Sequence, residues 1–349
     1  MKDKMNKSII DITDISKYRQ TLMGIAIFSV MFSHWFGFQG IESGVAYKLS
    51  DLIVRLVFTQ GLLFLSGFGL YYSFSKDNNV ISFYKRRLLR LYVPFVILSI
   101  GLYAFFLNSR NDYNVYDLIA QITSIYFWYR GNYGGMWYVS VSIALYIVFP
   151  LLYTIAIRKE KEHTFICALL ICVTLFVIPF VLKLYNEEYF KVIKIGILQI
   201  PYFVIGMFWG FLTKNEFLSR KEYIGLLSFI FFSFLIFTML NSIYPGVYWI
   251  MECTTLCQKL FFMPFICIIF NILEILKVDG WLKKIFNWFG YYSLELYILH
   301  LHTYMFLSYC DMLQALSPAA KATIAMITAI VFCVPINRFL AICTKLISK

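Results

Sequence analysis

The chain is built from long apolar blocks that carry no charge, such as Leu62–Phe74 and Val141–Ile157. No soluble core hides such blocks one after another, because a soluble helix must show water a polar face. Hydrophobic residues make up 60% of the sequence and charged ones 14%, against about a quarter charged in an ordinary soluble domain. This pattern excludes a soluble enzyme, a disordered chain, a disulfide scaffold and a cytosolic nucleic-acid binder. It leaves an all-α polytopic membrane bundle.

Ten spans are expected at roughly 21–38, 52–74, 91–107, 134–157, 163–182, 194–212, 223–240, 247–273, 289–308 and 321–343. Each is near or above the ~20 residues that cross a hydrocarbon layer about 30 Å thick. The net charge of +12 suggests nucleic acid only until the basic residues are placed. Of 31 Lys and Arg, 22 fall on the side that holds both termini, 7 fall on the other, and Arg55 and Lys259 lie within spans. The positive-inside rule then puts both termini in the cytoplasm. The charge is a topology signal.

No fixed-period repeat and no Pro- or Ser-rich linker divides the sequence. Residues 1–349 read as one integral-membrane domain with a polar, basic cytoplasmic tail over 1–20. That tail has no apolar stretch ending at a small-residue cleavage site, so the first span itself is expected to target the chain to the membrane. The longest extramembrane stretch, about 108–133, is too short for a second domain. The eight cysteines are scattered, nearly all within spans, and Cys253 and Cys257 lack the paired spacing of a zinc site, so no metal is expected.

Chemistry must then come from polar residues placed where lipid rejects them. These are His34 in the first span, Glu252, Gln258 and Lys259 in the eighth, and Glu295, His300 and His302 in the ninth. Intramembrane ionisable groups default to functional candidates, with interhelical hydrogen bonding as the alternative. His34 lies fifteen residues beyond Arg19, about 22 Å along a helix, in the outer half of the membrane. Its imidazole suits a general base.

The run Lys85-Arg86-Arg87-Leu88-Leu89-Arg90 enters the third span from the cytoplasmic side. Arg87 and Arg90, and Arg86 and Arg90, share a helical face, and guanidinium forks match phosphate. A basic stretch that only sets topology and touches anionic lipid fits the same spacing. Glu295 and His302 share a face, whereas His300 points roughly 140° from Glu295 at 100° per residue. His300 and His302 are adequately explained by packing or hydrogen bonding, and Glu252 with Lys259 by charge compensation. Ser66-Gly67-Phe68-Gly69 suggests close helix packing, and Trp128, Trp137 and Tyr138 read first as an interfacial aromatic belt.

Five segments, in order, resemble the membrane acyltransferases of acyltransferase family 3. Met23–His34 is similar to the family's first helix, which ends in its key His, and Phe64–Leu70 to its second-helix segment. Arg87-Leu-Leu-Arg90 with Leu-Tyr-Val-Pro-Phe resembles its R-x-x-R element. Gly135-Met-Trp-Tyr-Val139 and Tyr146–Leu152 resemble the fourth helix, and Ser293–His300 the late helix that ends in Leu-His. Many members carry a basic residue eleven positions before the first-helix His; here that position is Met23, with Arg19 one turn earlier.

The resemblance implies a multi-pass protein of the plasma or inner membrane that takes an acyl group, with acetyl expected, from cytoplasmic acyl-CoA. It delivers that group to a hydroxyl of an envelope or extracellular polysaccharide or its lipid-linked precursor. His34 would be catalytic, and Arg87, Arg90 and Arg86 would bind the donor. Glu295, His300, Trp137, Tyr138 and Arg19 are further candidates. Acyl-CoA is a co-substrate, and no permanently bound cofactor or nucleic acid is expected. A transporter or flippase of a glycan or small solute shares the ten spans, but an internal repeat and broken-helix pairs are missing.

The charge asymmetry makes a prediction. A membrane-impermeant thiol reagent applied from outside should label cysteines introduced at 108–133 and spare those at 76–90 and 274–288. The reverse labelling would invert the topology.

Overall fold

A computed structural model describes residues 9–41, 43–56, 58–110, 112–132, 135–157 and 161–348. The regular elements among the described residues are all helices, from a single turn at Asp14–Lys17 (α1) and the first long helix Arg19–Phe38 (α2) onwards. Gly44–Leu56 (α3), Phe58–Lys76 (α4), Val80–Arg87 (α5) and Val93–Ser109 (α6) follow. The segment after α6 folds as Val115–Ile122 (α7) and Tyr126–Arg130 (α8) before Trp137–Ala156 (α9) and Lys161–Tyr185 (α10). Then come Glu187–Ile197 (α11), Ile200–Lys214 (α12), Arg220–Ile243 (α13) and Tyr248–Ile275 (α14). Gly280–Tyr291 (α15), Ser293–Tyr309 (α16) and Pro318–Ile347 (α17) complete the bundle.

Eight helical stretches among the described residues are long and apolar enough to cross a membrane. The other two expected spans, α4 and α16, carry small and polar residues into the bundle: Ser66-Gly67-Phe68-Gly69 in one, Glu295, His300 and His302 in the other. α10, α13 and α17 are apolar yet mostly exposed, as lipid-facing helices are, while α2 and α11–α12 are largely buried. The protein is an all-α polytopic membrane bundle.

Two expectations shift. The stretch read as the connection before the third span is helical from Val80, with Asn79 capping it by accepting a hydrogen bond from the Ser82 amide at 2.9 Å. A π turn at Leu88–Tyr92 then leads into α6. Pro94 accounts for it: proline cannot donate to the Arg90 carbonyl, and its ring crowds that oxygen, so the turn widens. The second change is at the N-terminus. Residues 1–8 of the expected tail lie outside the described residues, but Ile12, Ile15 and Tyr18 are core residues. Lys17 Nζ pairs with Glu274 at 2.6 Å, which ties α1 to the end of α14.

Glycines bring backbones into contact. A Cβ on Gly67 would stand 1.9 Å from the Phe203 carbonyl oxygen, and one on Gly206 would stand 2.0 Å from that of Phe64. α4 and α12 therefore touch backbone to backbone, which apolar lipid permits only through such small residues. Gly24 and Gly290 do the same for α2 and α15, at 1.7 Å from Phe286 O and 2.1 Å from Gln20 O.

The register that results is constant. Thr21 donates to Asn287 Oδ1 at 2.7 Å, His34 meets His300 at 2.9 Å, and Tyr304 Oη donates to the Phe38 carbonyl at 3.1 Å, each pair 266 positions apart. α15 and α16 thus run parallel to α2 along its whole length.

Adding one methyl should separate the glycine sites. Gly67→Ala should lower the thermal midpoint in detergent, since forced overpacking costs about 1–3 kcal/mol. Gly225→Ala, where nothing lies within 4 Å of the new Cβ, should leave it unchanged or slightly raised. Equal midpoints for the two variants would contradict the backbone contact.

Candidate functional site

A polar cavity of about 650 Å³ opens among α2, α4, the π turn, α9, α16 and α17. Arg19, Arg87 and Arg90 line it. Arg19 lies over Gly69, where a Cβ would come within 2.5 Å of its Nη2. Its Nη2 and Nε donate to the Leu65 carbonyl at 3.2 and 3.3 Å. Arg87 Nη2 donates to Ser73 Oγ at 3.1 Å, and its buried Nε has no partner among the described residues. None of the three guanidinium groups forms an ion pair among the described residues. Three clustered cations share the chamber with one carboxylate, that of Glu295, which leaves an excess of positive charge for an anionic ligand.

Arg86 does not join them. Its Nη1 pairs with Asp77 Oδ2 at 2.7 Å at the surface, and this contact holds the Asp77 carboxyl below the usual carboxylate range. The expectation that all three arginines of the run share one face is corrected here, because Arg86 is drawn out by Asp77.

The cavity is closed at depth by aromatic residues. Tyr138 and Tyr297 line its wall with their rings 5.2 Å apart, and Tyr297 Oη donates to the Gly135 carbonyl. Gly135 has φ +74°, and a Cβ there would sit 2.9 Å from Leu301. A glycine is therefore required for the chain to enter the bundle before α9. Trp137 is only 6% exposed and Tyr138 faces the cavity, so neither belongs to an interfacial belt. Irregular backbone at membrane depth is tolerated where protein buries it, as here.

Glu295 also lines the cavity, and Asn337 Nδ2 of α17 donates to its Oε1 at 2.6 Å. Ser66 and Tyr146 hydroxyls meet at 2.9 Å on the opposite wall. Asn337, Tyr146 and Tyr297 were not singled out in the sequence. Asn337 carried only a weak signal, because it stands beside Arg338 near the end of the last expected span.

His34 is not a cavity residue. It lies just beyond the tyrosine wall, where its Nδ1 is 2.9 Å from His300 Nε2. His300 is wholly buried, with Nδ1 2.7 Å from the Leu296 carbonyl and its ring 5.9 Å from that of Tyr297. One turn further along both helices, Phe38 stacks on Tyr304 at 3.6 Å and also lies 5.5 Å from the His34 ring. Tyr297, His300 and His34 therefore form a continuous line of contact from the cavity to the first helix.

The structure thus unites Arg19, Arg87, Arg90, Glu295 and Tyr138 in one chamber and places His34 with His300 at its inner end. His302 stands apart, its ring 5.8 Å from Tyr103 of α6. Glu252 lines a separate apolar slot of about 280 Å³ with Tyr202 and Tyr248, and Lys259 is buried about two turns further along α14.

A family model described as an acyltransferase domain, that of acyltransferase family 3, matches residues 21–338, most of the chain. No curated protein matches. No solved structure matches. The span of the family match covers every residue of the chamber but Arg19, Gln20 and the last turns of α17, and the helices around it are those of a membrane bundle. The chain belongs to acyltransferase family 3 and is a membrane acyltransferase.

Proposed function

We propose that the protein moves an acyl group, acetyl in the first instance, from cytoplasmic acyl-CoA to a hydroxyl of an envelope or extracellular polysaccharide or its lipid-linked precursor, in the plasma (inner) membrane. The observation that carries this reading is the chamber itself: three guanidinium groups, none of them in an ion pair among the described residues, with a histidine pair one contact beyond the tyrosine wall. CoA carries its phosphates at one end and its thioester at the end of a long flexible arm. Arg87, Arg90 and Arg19 suit the phosphates, because charge-assisted bonds to phosphate are strong and often bidentate. Arg19 takes the part of the basic residue that Met23 lacks, since both side chains line the same chamber.

The arm then directs the thioester past Tyr138 and Tyr297 toward His34. An acceptor hydroxyl reaching His34 from outside gives its proton to the imidazole as its oxygen attacks the thioester carbonyl. The carbon–sulfur bond breaks, and the CoA thiolate leaves and receives that proton. A neutral imidazole is the form that accepts a proton. Glu295, held by Asn337 on the chamber wall, fits an orienting role on the donor side.

Two experiments test the assignment. Arg87→Ala or Arg90→Ala should raise the apparent KM for acyl-CoA about ten- to hundredfold, the equivalent of one charged hydrogen bond, and leave that for the acceptor near wild type. Arg→Lys should rescue only in part, because the planar fork is lost. Unchanged CoA binding in both Ala variants would leave the cluster as a topology determinant.

His34→Ala should abolish detectable glycan acylation, since general-base catalysis contributes about 10²–10⁴-fold, while expression and CoA binding persist. His34→Gln should be equally inactive. If His34→Gln keeps most of the activity, the base lies elsewhere.

A further inference from the structure

The sequence treats His300 as a packing residue, yet it is wholly buried and both of its ring nitrogens are engaged. The partners decide where its proton sits. The Leu296 carbonyl can only accept, so the nitrogen facing it at 2.7 Å, Nδ1, must carry hydrogen. A neutral imidazole has one N–H, which leaves Nε2 of His300 as an acceptor. His34 Nδ1 stands 2.9 Å from that acceptor and must therefore be the donor. The same count leaves the lone pair of His34 on Nε2.

The alternative, a doubly protonated His300, would put a buried cation beside His34, Tyr297 and, two positions along its own helix, His302. None of these offers negative charge, and Glu295 lies five residues earlier, bonded to Asn337 of α17. A buried charge without a partner is strongly disfavoured.

We propose that His300 is a positioning residue that fixes the tautomer of His34, through the chain Leu296 carbonyl, His300, His34 Nδ1–H, so that Nε2 is the atom that takes the acceptor's proton. This deepens the reading of His34 as the base and rests on it. The logic is that of a catalytic histidine oriented by a carboxylate, with a neutral imidazole in the carboxylate's place. The proton balance is simple. The acceptor O–H proton moves to His34 Nε2, the resulting imidazolium keeps its Nδ1–H bonded to His300 Nε2, and the Nε2 proton passes to the departing thiolate. No proton crosses to His300.

The packing supports a fixed geometry. His34 and Phe38 are one turn apart on α2, His300 and Tyr304 one turn apart on α16, and the four rings make two stacked layers at the same 266-residue offset. Ring rotation of His34 would have to break the layer that Phe38 and Tyr304 close above it.

The test pairs kinetics with spectroscopy on the full-length protein in lipid. His300→Leu keeps an apolar side chain of similar bulk but removes the acceptor. It should lower kcat at least tenfold while KM for acyl-CoA and CoA binding stay within about twofold. His300→Gln, whose amide oxygen can accept from His34 Nδ1, should recover a substantial part of that loss. With only four histidines in the chain, nitrogen-15 spectra of histidine-labelled wild type should show His34 protonated at Nδ1 and bare at Nε2, and that signature should be lost in His300→Leu. Wild-type kcat in His300→Leu, or an Nε2-protonated His34 in the wild type, overturns the proposal, and the wild-type spectrum decides the matter even if the Leu variant does not fold. Activity that survives His34→Gln would instead overturn the reading of His34 as base, so the two failures are distinguishable.

Discussion

The contact between Gly24 of α2 and Gly290 of α15 sets the geometry on which the site depends. With no side chain on either residue the two backbones meet directly, and α15–α16 is laid parallel to α2 at one register from Thr21 to Phe38. That register places His300 against His34. It also brings Glu295 and Tyr297, on the preceding turns, to the chamber that Arg19 enters from the start of α2. A slip of one residue would rotate α16 by about 100° and undo both arrangements at once. Such contacts are cheap in a membrane, where tight van der Waals packing rather than water exclusion drives helix association.

The chamber and the histidine pair divide the electrostatic work. Positive charge is concentrated at the end where a phosphate ligand would arrive, and there Arg19, Arg87 and Arg90 form no ion pair among the described residues. Further in, the polar groups are neutral: the hydroxyls of Tyr138 and Tyr297, then two imidazoles. A neutral inner end costs less to bury and suits proton transfer at a thioester, whereas the charged mouth gains from an anionic ligand. The π turn at Leu88–Tyr92 falls between the two side chains, and Arg87 and Arg90 both line the chamber.

The all-α bundle, its helices and a few residues of the chamber were legible in the sequence. Uninterrupted apolar runs mark the spans, and the few polar residues within them mark the interior, because lipid penalises each one separately. Hence His34 and Glu295 stand out from residue type and depth, whereas Arg87 and Arg90 read equally as a topology-setting stretch until the family resemblance is added. What stayed hidden depends on partners distant in sequence. Arg86 reads like Arg87 until Asp77, folded back beside it, pulls it to the surface. Trp137 and Tyr138 read as interfacial aromatics until Gly135 turns the chain into the bundle. The partnership of His300 with His34 needs a register that helical periodicity cannot supply, since each helix defines its own faces but not which face meets its neighbour. A hint existed in the matched aromatics one turn beyond each histidine, Phe38 and Tyr304.

The central claim is that one continuous site runs from the arginine chamber to the histidine pair. The most direct measurement is a cryo-EM structure of the protein in lipid nanodiscs with CoA bound. The account predicts phosphate density against Arg19, Arg87 and Arg90, with the pantetheine arm passing Tyr138 and Tyr297 so that its sulfur ends beside His34. Phosphates bound away from those arginines, or a sulfur that ends far from His34, would contradict it.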